Sequence, residues 1–151
     1  MITDFRTLDI ADIFLNANPK QLPLWGTMNL HQMIEHITQV IKYSNGRQTL
    51  EIPESLPDFS SSLRFLMGPN EFPQNIKSPF TKTELQALQF VYFEDALMDL
   101  IVNIEHFDTF FLRNPDSKPY HPTFGFLTKD QWIVAHNKHF THHFKQFGIS
   151  T

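Results

Sequence analysis

The sequence contains no cysteine, which excludes disulfide bonds, thiolate metal ligands and a cysteine nucleophile. It also has no run of lysine or arginine, and its formal net charge is −4. The basic surface that binding to a phosphate backbone requires is therefore missing, and we expect no nucleic-acid partner. Any metal ion bound by this chain must be held by nitrogen or oxygen atoms.

Long apolar runs are absent as well, because no stretch approaches the roughly 18–20 residues that a membrane-spanning helix needs. The first ten residues carry Asp4 and Asp9 where a signal peptide carries a basic and then an apolar run. We therefore expect no membrane partner and a cytoplasmic location.

Aromatic residues are plentiful by contrast, with 16 phenylalanines among 151 residues and a hydrophobic fraction of 41%. A chain of this length buries enough surface to support one hydrophobic core. The composition predicts a single globular domain that spans residues 1–151.

Apolar residues recur at helical spacing in four stretches, and each stretch has a recognisable start or stop signal. Asn18-Pro19 ends the first, Asn29 and Gly46 flank the second, Asn114-Pro115 ends the third, and Gly148 ends the fourth. Thr81 with Glu84 and Thr128 with Gln131 have the spacing of capping boxes. The predicted helices cover residues 4–17, 28–45, 81–114 and 128–147.

The segment between the second and third predicted helices, residues 47–80, contains five of the ten prolines. Proline excludes most regular structure there, apart from a short helix over 61–67 and at most an edge strand within 47–56. Four helices with one long connection predict an all-α fold, a four-helix bundle with a long crossover between helices two and three.

Four histidines lie within eight residues on the last predicted helix: His136, His139, His142 and His143. With His136 at zero on a helical projection, His143 lies at about −20° and His139 at about −60°, among the apolar side chains. His142, at about −120°, points away and is predicted to be a surface residue. Crowded buried imidazoles are costly unless something binds them together, and a metal ion does so.

His139 and His143 have the i, i+4 spacing that places two imidazoles on one side of a helix, so we predict both as metal ligands. His136 is predicted to be a neighbour of the site. On the second helix, the projection places His36 at the border of the core and turns His31 to solvent, so His36 is the predicted third ligand. Glu35 is predicted to be solvated.

Three neutral imidazoles suit zinc, nickel, copper or iron, and they leave at least one coordination position open for water or a substrate. His121 precedes a proline and is interpreted as a structural loop residue. The residues alone also leave open a helical interaction module whose histidines bind no metal.

Two segments, WGTMNLHQMIEHI (residues 25–37) and HPTFGFLTKDQWIVAHNKHFTHHFKQFG (residues 121–148), resemble the DinB-like superfamily of four-helix-bundle metalloproteins, also called DinB/YfiT-like. The branch that they resemble is known only as a domain of unknown function. In the superfamily, a histidine late in the tryptophan-containing motif and an H-x-x-H-H or H-x-x-x-H motif on helix four bind a divalent metal. The matching positions in this sequence are His36, His139 and His143.

The resemblance implies a metal-dependent enzyme of the transferase or hydrolase type, because characterised relatives are thiol-dependent S-transferases, a mycothiol-dependent isomerase, or proteins regarded as metal-dependent hydrolases. A zinc, nickel or iron ion is the expected cofactor, and a small molecule, such as a low-molecular-weight thiol, is the expected partner. The alternative is a non-catalytic, stress-associated protein in which the ion ties helices two and four together. Bundles of this kind can form homodimers, and the sequence does not decide the oligomeric state.

Overall fold

The computed structural model describes residues 1–74, 76–77, 79 and 87–151, and its regular structure is mostly helical. In chain order, the elements are a 3₁₀ turn (Phe5–Thr7), α1 (Ile10–Ile13), α2 (Leu30–Ser44), α3 (Ser60–Met67), α4 (Phe93–Arg113), strands β1 (Tyr120–His121) and β2 (Gly125–Phe126), and α5 (Lys129–Gln146). Across these ranges, none of the helices combines the length with the apolar character that crossing a bilayer requires.

Helix α2 begins and ends where its sequence predicts. The Asn29 side chain accepts a hydrogen bond from the Gln32 backbone N–H, and the Gln32 side chain accepts one from the Asn29 N–H, both at 2.9 Å. This reciprocal pair satisfies two of the backbone donors that a helix start leaves free. After the helix, Gly46 adopts φ +78°, a conformation that glycine reaches without a steric penalty.

Helix α5 is capped in the same way, by Thr128 and Gln131. At its other end, the Ile149 N–H donates to the Phe144 carbonyl at 2.8 Å across Gly148, whose φ is +64°. Both ends of the helix that carries four histidines were therefore correctly predicted, and the site residues lie in its second half.

The core forms where α2 packs against α4 and α5, while α5 also contacts α3 and the 3₁₀ turn. Its largest completely buried side chains come from all four of these helices and from the 3₁₀ turn. They include Phe5, Met33, Ile34, Ile37, Ile41, Leu66, Leu100, Phe107, Trp132 and Phe140. The interface that carries the candidate site, between α2 and α5, is thus continuous with the main core.

The third helix starts later than its pattern predicts. Helix α4 begins at Phe93, and residues 87–92 are not helical, although Leu88 was assigned to the same helix. The predicted capping box of Thr81 and Glu84 lies outside the described residues. The end of the helix, at Arg113 before Asn114-Pro115, is as predicted.

Two other expectations on secondary structure need correction. The first predicted helix, over 4–17, is instead the 3₁₀ turn followed by the four-residue α1. Residues 47–56, where at most an edge strand was expected, form no strand. The hairpin in the described residues lies instead at 120–126, shortly before α5 in the chain. The short α3 at Ser60–Met67 agrees with the predicted helix before Gly68.

A buried lysine attaches α3 to α5. Lys138 is 3% exposed, and its Nζ donates to the carbonyls of Gly68, at 2.8 Å, and of Phe65, at 3.3 Å. These carbonyls lie at the end of α3, where helix carbonyls lack partners and attract positive charge. Burial lowers the pKa of the Lys138 ammonium from its usual value.

Lys138→Met is therefore expected to destabilise the protein by about 1–3 kcal/mol, because it keeps the aliphatic stem but removes the charge-assisted hydrogen bond to the Gly68 carbonyl. The Phe65 carbonyl keeps the backbone N–H of Gly68 as a donor. Denaturant unfolding at pH 7 measures this loss. The matched control is Lys129→Met on the same helix, since Lys129 pairs with Asp108 near the surface, at 2.7 Å. That variant should lose less than about 1 kcal/mol, and equal losses for both variants would contradict the role given to Lys138.

Candidate metal centre

The structure brings together the three histidines that the sequence singles out as ligands. His36, from the middle of α2, meets His139 and His143, which lie one turn apart on α5. The Nε2 atom of His139 is 3.1 Å from Nε2 of His36 and 3.0 Å from Nε2 of His143. Each ring offers one nitrogen to a group whose atoms all lie within 4.8 Å of one another, so the three histidines could hold a metal ion.

The spacing of the nitrogens suits a shared cation. For metal–nitrogen distances of about 2.05 Å, two ligand nitrogens are about 2.9 Å apart at a right angle and about 3.3 Å apart at the tetrahedral angle. The contacts of 3.0 and 3.1 Å fall between these values. One N–H on His139 cannot point at both neighbours, whereas a cation between the rings would accept a lone pair from each.

Burial keeps the three rings neutral, which is the form that binds metal. Loss of hydration lowers the pKa of His36 to about 4. The same cause, with the mutual repulsion of neighbouring imidazolium charges, holds the pKa values of His139 and His143 well below their usual value. At neutral pH, all three therefore carry a free lone pair.

The three histidines differ in their exposure. His143 is buried, while His36 and His139 are each only partly buried. In the ranges that the structure describes, no carboxylate belongs to the cluster, so the donor set there consists of three neutral nitrogens. An ion at this position would keep its full positive charge and would leave room for a further ligand.

Gln146 is a part of this site that the sequence reasoning missed. Its Oε1 lies 2.7 Å from Nδ1 of His143, and its Nε2 donates to the carbonyl oxygen of Trp25 at 2.7 Å. A signal was available, because Gln146 is three residues after His143 and lies on the same side of the helix. Ligand histidines usually donate their second ring N–H to such an acceptor.

The assignments of His31 and Glu35 to the solvent face are wrong. His31 is only 5% exposed, packs its ring against Phe93, and places Nε2 3.3 Å from Oε1 of Glu35. Glu35 accepts hydrogen bonds from the backbone N–H groups of Gln89, at 2.8 Å, and Phe90, at 2.9 Å. The projection of a single helix omits the residues before α4, which cover this side of α2.

His142 is half-buried rather than fully on the surface, and its ring lies edge-on to Trp25, with 6.0 Å between centroids. It does not belong to the convergent group of three, as predicted. It instead lies beside the ligand His143, with 5.0 Å between ring centroids.

His136 and His121 lie in the core beside Trp132. His136 is completely buried, contacts the Ser44 hydroxyl at 2.7 Å through Nε2, and stacks on Trp132. His121, in β1, accepts a hydrogen bond from the Thr123 N–H at 3.0 Å, in keeping with a structural role. Burial lowers the pKa of each ring to about 3, so both are neutral packing residues at pH 7.

Comparison with known proteins gives one match. Residues 82–149 are similar to a family described as "Protein of unknown function (DUF1569)". The match covers less than half of the chain, contains His139, His143 and Gln146, and begins after His36. No curated protein and no solved structure matches the chain. The description does not refer to the DinB-like superfamily, so that resemblance stays a prediction.

Proposed function

We propose that this protein binds one divalent transition-metal ion through His36, His139 and His143 and uses it as a metal-dependent transferase or hydrolase. The observation that carries the proposal is the convergence of three neutral Nε2 atoms from two helices. Zinc, nickel and iron are among the ions that suit such a donor set.

Two of the three histidines are only partly buried and all are uncharged at neutral pH, which supports a catalytic role. A divalent ion supplies Lewis acidity and lowers the pKa of a bound water or thiol. The chain has no cysteine, so a thiol would come from a small cosubstrate. The protein's own contribution is to hold the three imidazoles neutral and in place, with the buried His143 on the inner side of the site.

The arrangement of α2 and α5 supports a wider proposal about the fold. The three longest helices in the described ranges are α2, α4 and α5, and the ligands lie on two of them in the order that the DinB-like superfamily uses. We propose that these helices belong to a four-helix bundle of that type, with the proline-rich connection after α2 as its crossover.

A second candidate function follows from the position of the ligands on separate helices. An ion held by His36 and by the α5 pair would link α2 to α5 within the core, as a structural metal does. This alternative is a metal-binding protein without turnover. It predicts the same metal content as the enzyme, so it must be distinguished by activity.

Elemental analysis tests both metal hypotheses. Protein purified without a histidine tag should contain about one equivalent of a divalent transition metal, or take it up after treatment with a chelator. A chain that arrives without metal and fails to bind zinc, nickel or iron would eliminate both functions. Binding at several equivalents, lost equally on substitution of any histidine, would indicate adventitious surface sites.

Activity assays then separate the enzyme from the structural alternative. The metal-loaded protein is presented with low-molecular-weight thiols together with an electrophile, and separately with simple esters and amides. Turnover that disappears in the His139→Ala variant would support the enzyme. Metal-loaded protein that is silent in both assays would favour the non-catalytic function.

A further inference from the structure

The side chain of Gln146 occupies the space between a candidate metal ligand and the loop before α2. It is 5% exposed, and its amide group spans from Nδ1 of His143, at 2.7 Å, to the carbonyl oxygen of Trp25, at 2.7 Å. The amide therefore has a polar partner at each end and little contact with water.

The Trp25 carbonyl settles which way the amide points. A carbonyl oxygen can only accept, so the NH₂ group of Gln146 must face Trp25, and Oε1 must face His143. Because Oε1 also only accepts, the hydrogen of the neutral His143 ring must lie on Nδ1. Nε2 of His143 is then left with a lone pair, directed at the other two histidines.

The loop that supplies the carbonyl is held firmly against the end of α5. The Leu24 N–H donates to the Gln146 carbonyl at 2.8 Å, and the Gln21 side chain donates to the Phe147 carbonyl at 3.0 Å. Gly26 adopts φ +87°, and a Cβ atom there would lie only 2.7 Å from Nε2 of Gln146. The absence of a side chain at Gly26 thus leaves room for the amide.

We propose that Gln146 is a positioning residue that fixes the metal-binding tautomer of His143, and that the 21–26 loop fixes Gln146 in turn. The expected effect on metal affinity rests on the proposed metal centre. The tautomer itself is a property of the metal-free chain and can be measured separately.

His139 provides an internal contrast. Its Nδ1 is buried and has no hydrogen-bond partner in the described part of the chain. Within that part, Nε2 of His139 contacts only the other two candidate ligands, so no group outside the cluster orients this ring. His143 is the ligand of α5 that a neighbouring polar side chain orients before an ion arrives. A preorganised ligand lowers the cost of binding, since its orientation is already fixed.

Two substitutions of Gln146 test the proposal. Gln146→Met keeps the size of the side chain and removes both hydrogen bonds, so zinc affinity should fall by about 10- to 100-fold. Gln146→Glu keeps an acceptor for His143 but loses the donor to the Trp25 carbonyl, so it should recover part of that loss. Affinity is measured by competition with a chromophoric chelator at pH 7.5, after circular dichroism has shown that each variant is folded.

The second measurement is the tautomer of His143, read from ¹⁵N chemical shifts in metal-free protein. Wild type and Gln146→Glu should show the hydrogen on Nδ1, whereas Gln146→Met should show a mixture or the Nε2–H form. A side chain that only packs would not move this signal. If Gln146→Met does not fold, Gln146→Asn, which keeps the amide but is too short to span both partners, should change the tautomer in the same way.

The outcomes separate the two proposals. If wild-type protein binds no metal but the His143 tautomer changes in Gln146→Met as stated, the proposed function fails and the role of Gln146 stands. A folded Gln146→Met or Gln146→Asn variant with the wild-type tautomer and zinc affinity would overturn the inference, whether or not the metal centre is real.

Discussion

His139→Ala is expected to abolish stoichiometric metal binding. Nε2 of His139 is the middle atom of the cluster, in contact with both His36 and His143. Its removal leaves two nitrogens, one on each helix, which hold a divalent ion far more weakly than three. Isothermal titration with zinc at pH 7.5 measures the loss, and His36→Ala and His143→Ala should behave alike.

Two histidines outside the cluster provide matched controls for this experiment. His106→Ala removes a half-buried imidazole from α4, and His142→Ala removes the ring next to His143 without touching the three candidate ligands. Both variants should keep about one equivalent of zinc. If His142→Ala loses the ion as completely as His139→Ala does, the assignment of the ligands is wrong.

Metal-free protein is expected to lose stability steeply as the pH falls below 6.5. Burial lowers the pKa values of His121 and His136 to about 3, whereas in the unfolded chain each histidine titrates near 6.5. Between these values the unfolded state binds more protons, so acid favours it. These groups thus contribute stability that is complete above about pH 6.5 and is lost as the pH falls towards 3.

Each buried ring should lower the free energy of unfolding by about 1.4 kcal/mol per pH unit once the pH is well below 6.5. His121 and His136 together then give about 2–3 kcal/mol per unit, and the lowered pKa of His36 adds to the slope. Denaturant unfolding in the presence of a chelator at pH 7, 6 and 5 measures it. A free energy of unfolding that stays constant over this range would refute the prediction.

His136→Phe separates titration from packing in this experiment. The ring of His136 lies among Phe5, Phe107 and Trp132, so phenylalanine fits the aromatic surroundings but cannot bind a proton. Whatever its effect on stability at pH 7, the variant should show a dependence of the unfolding free energy on pH that is smaller than in wild type by about 1.4 kcal/mol per pH unit. An unchanged slope would show that His136 does not titrate on unfolding.

The parts of the fold that local sequence signals determine were predictable. Asn29 and Thr128 start their helices through hydrogen bonds to residues three positions on, so the bounds of α2 and α5 follow from short motifs. The convergence of His139 with His143 follows from the four-residue spacing on one helix. His36 was identified because it borders the apolar stripe of α2 and therefore faces the packed side.

What the sequence did not show depends on packing between segments distant in the chain. His31 and Glu35 lie outside the apolar stripe of α2, yet Phe93 and the backbone of residues 89–90 cover them. The apolar residues before Phe93 continue the helical spacing of α4, although residues 87–92 are not helical. Their backbone donates to a carboxylate on another helix, a long-range interaction that overrides local periodicity.

The link between Glu35 and residues 89–90 has a consequence for how this chain tolerates changes in length. The carboxylate that accepts both backbone N–H groups belongs to the residue before the candidate ligand His36. The segment that leads into α4 is therefore bound to the same turn of α2 that carries the ligand. Insertions or deletions between Phe90 and Phe93 would displace that turn. In evolution, variation in loop length is therefore expected to accumulate before Gln89, while the few residues after it keep a constant number.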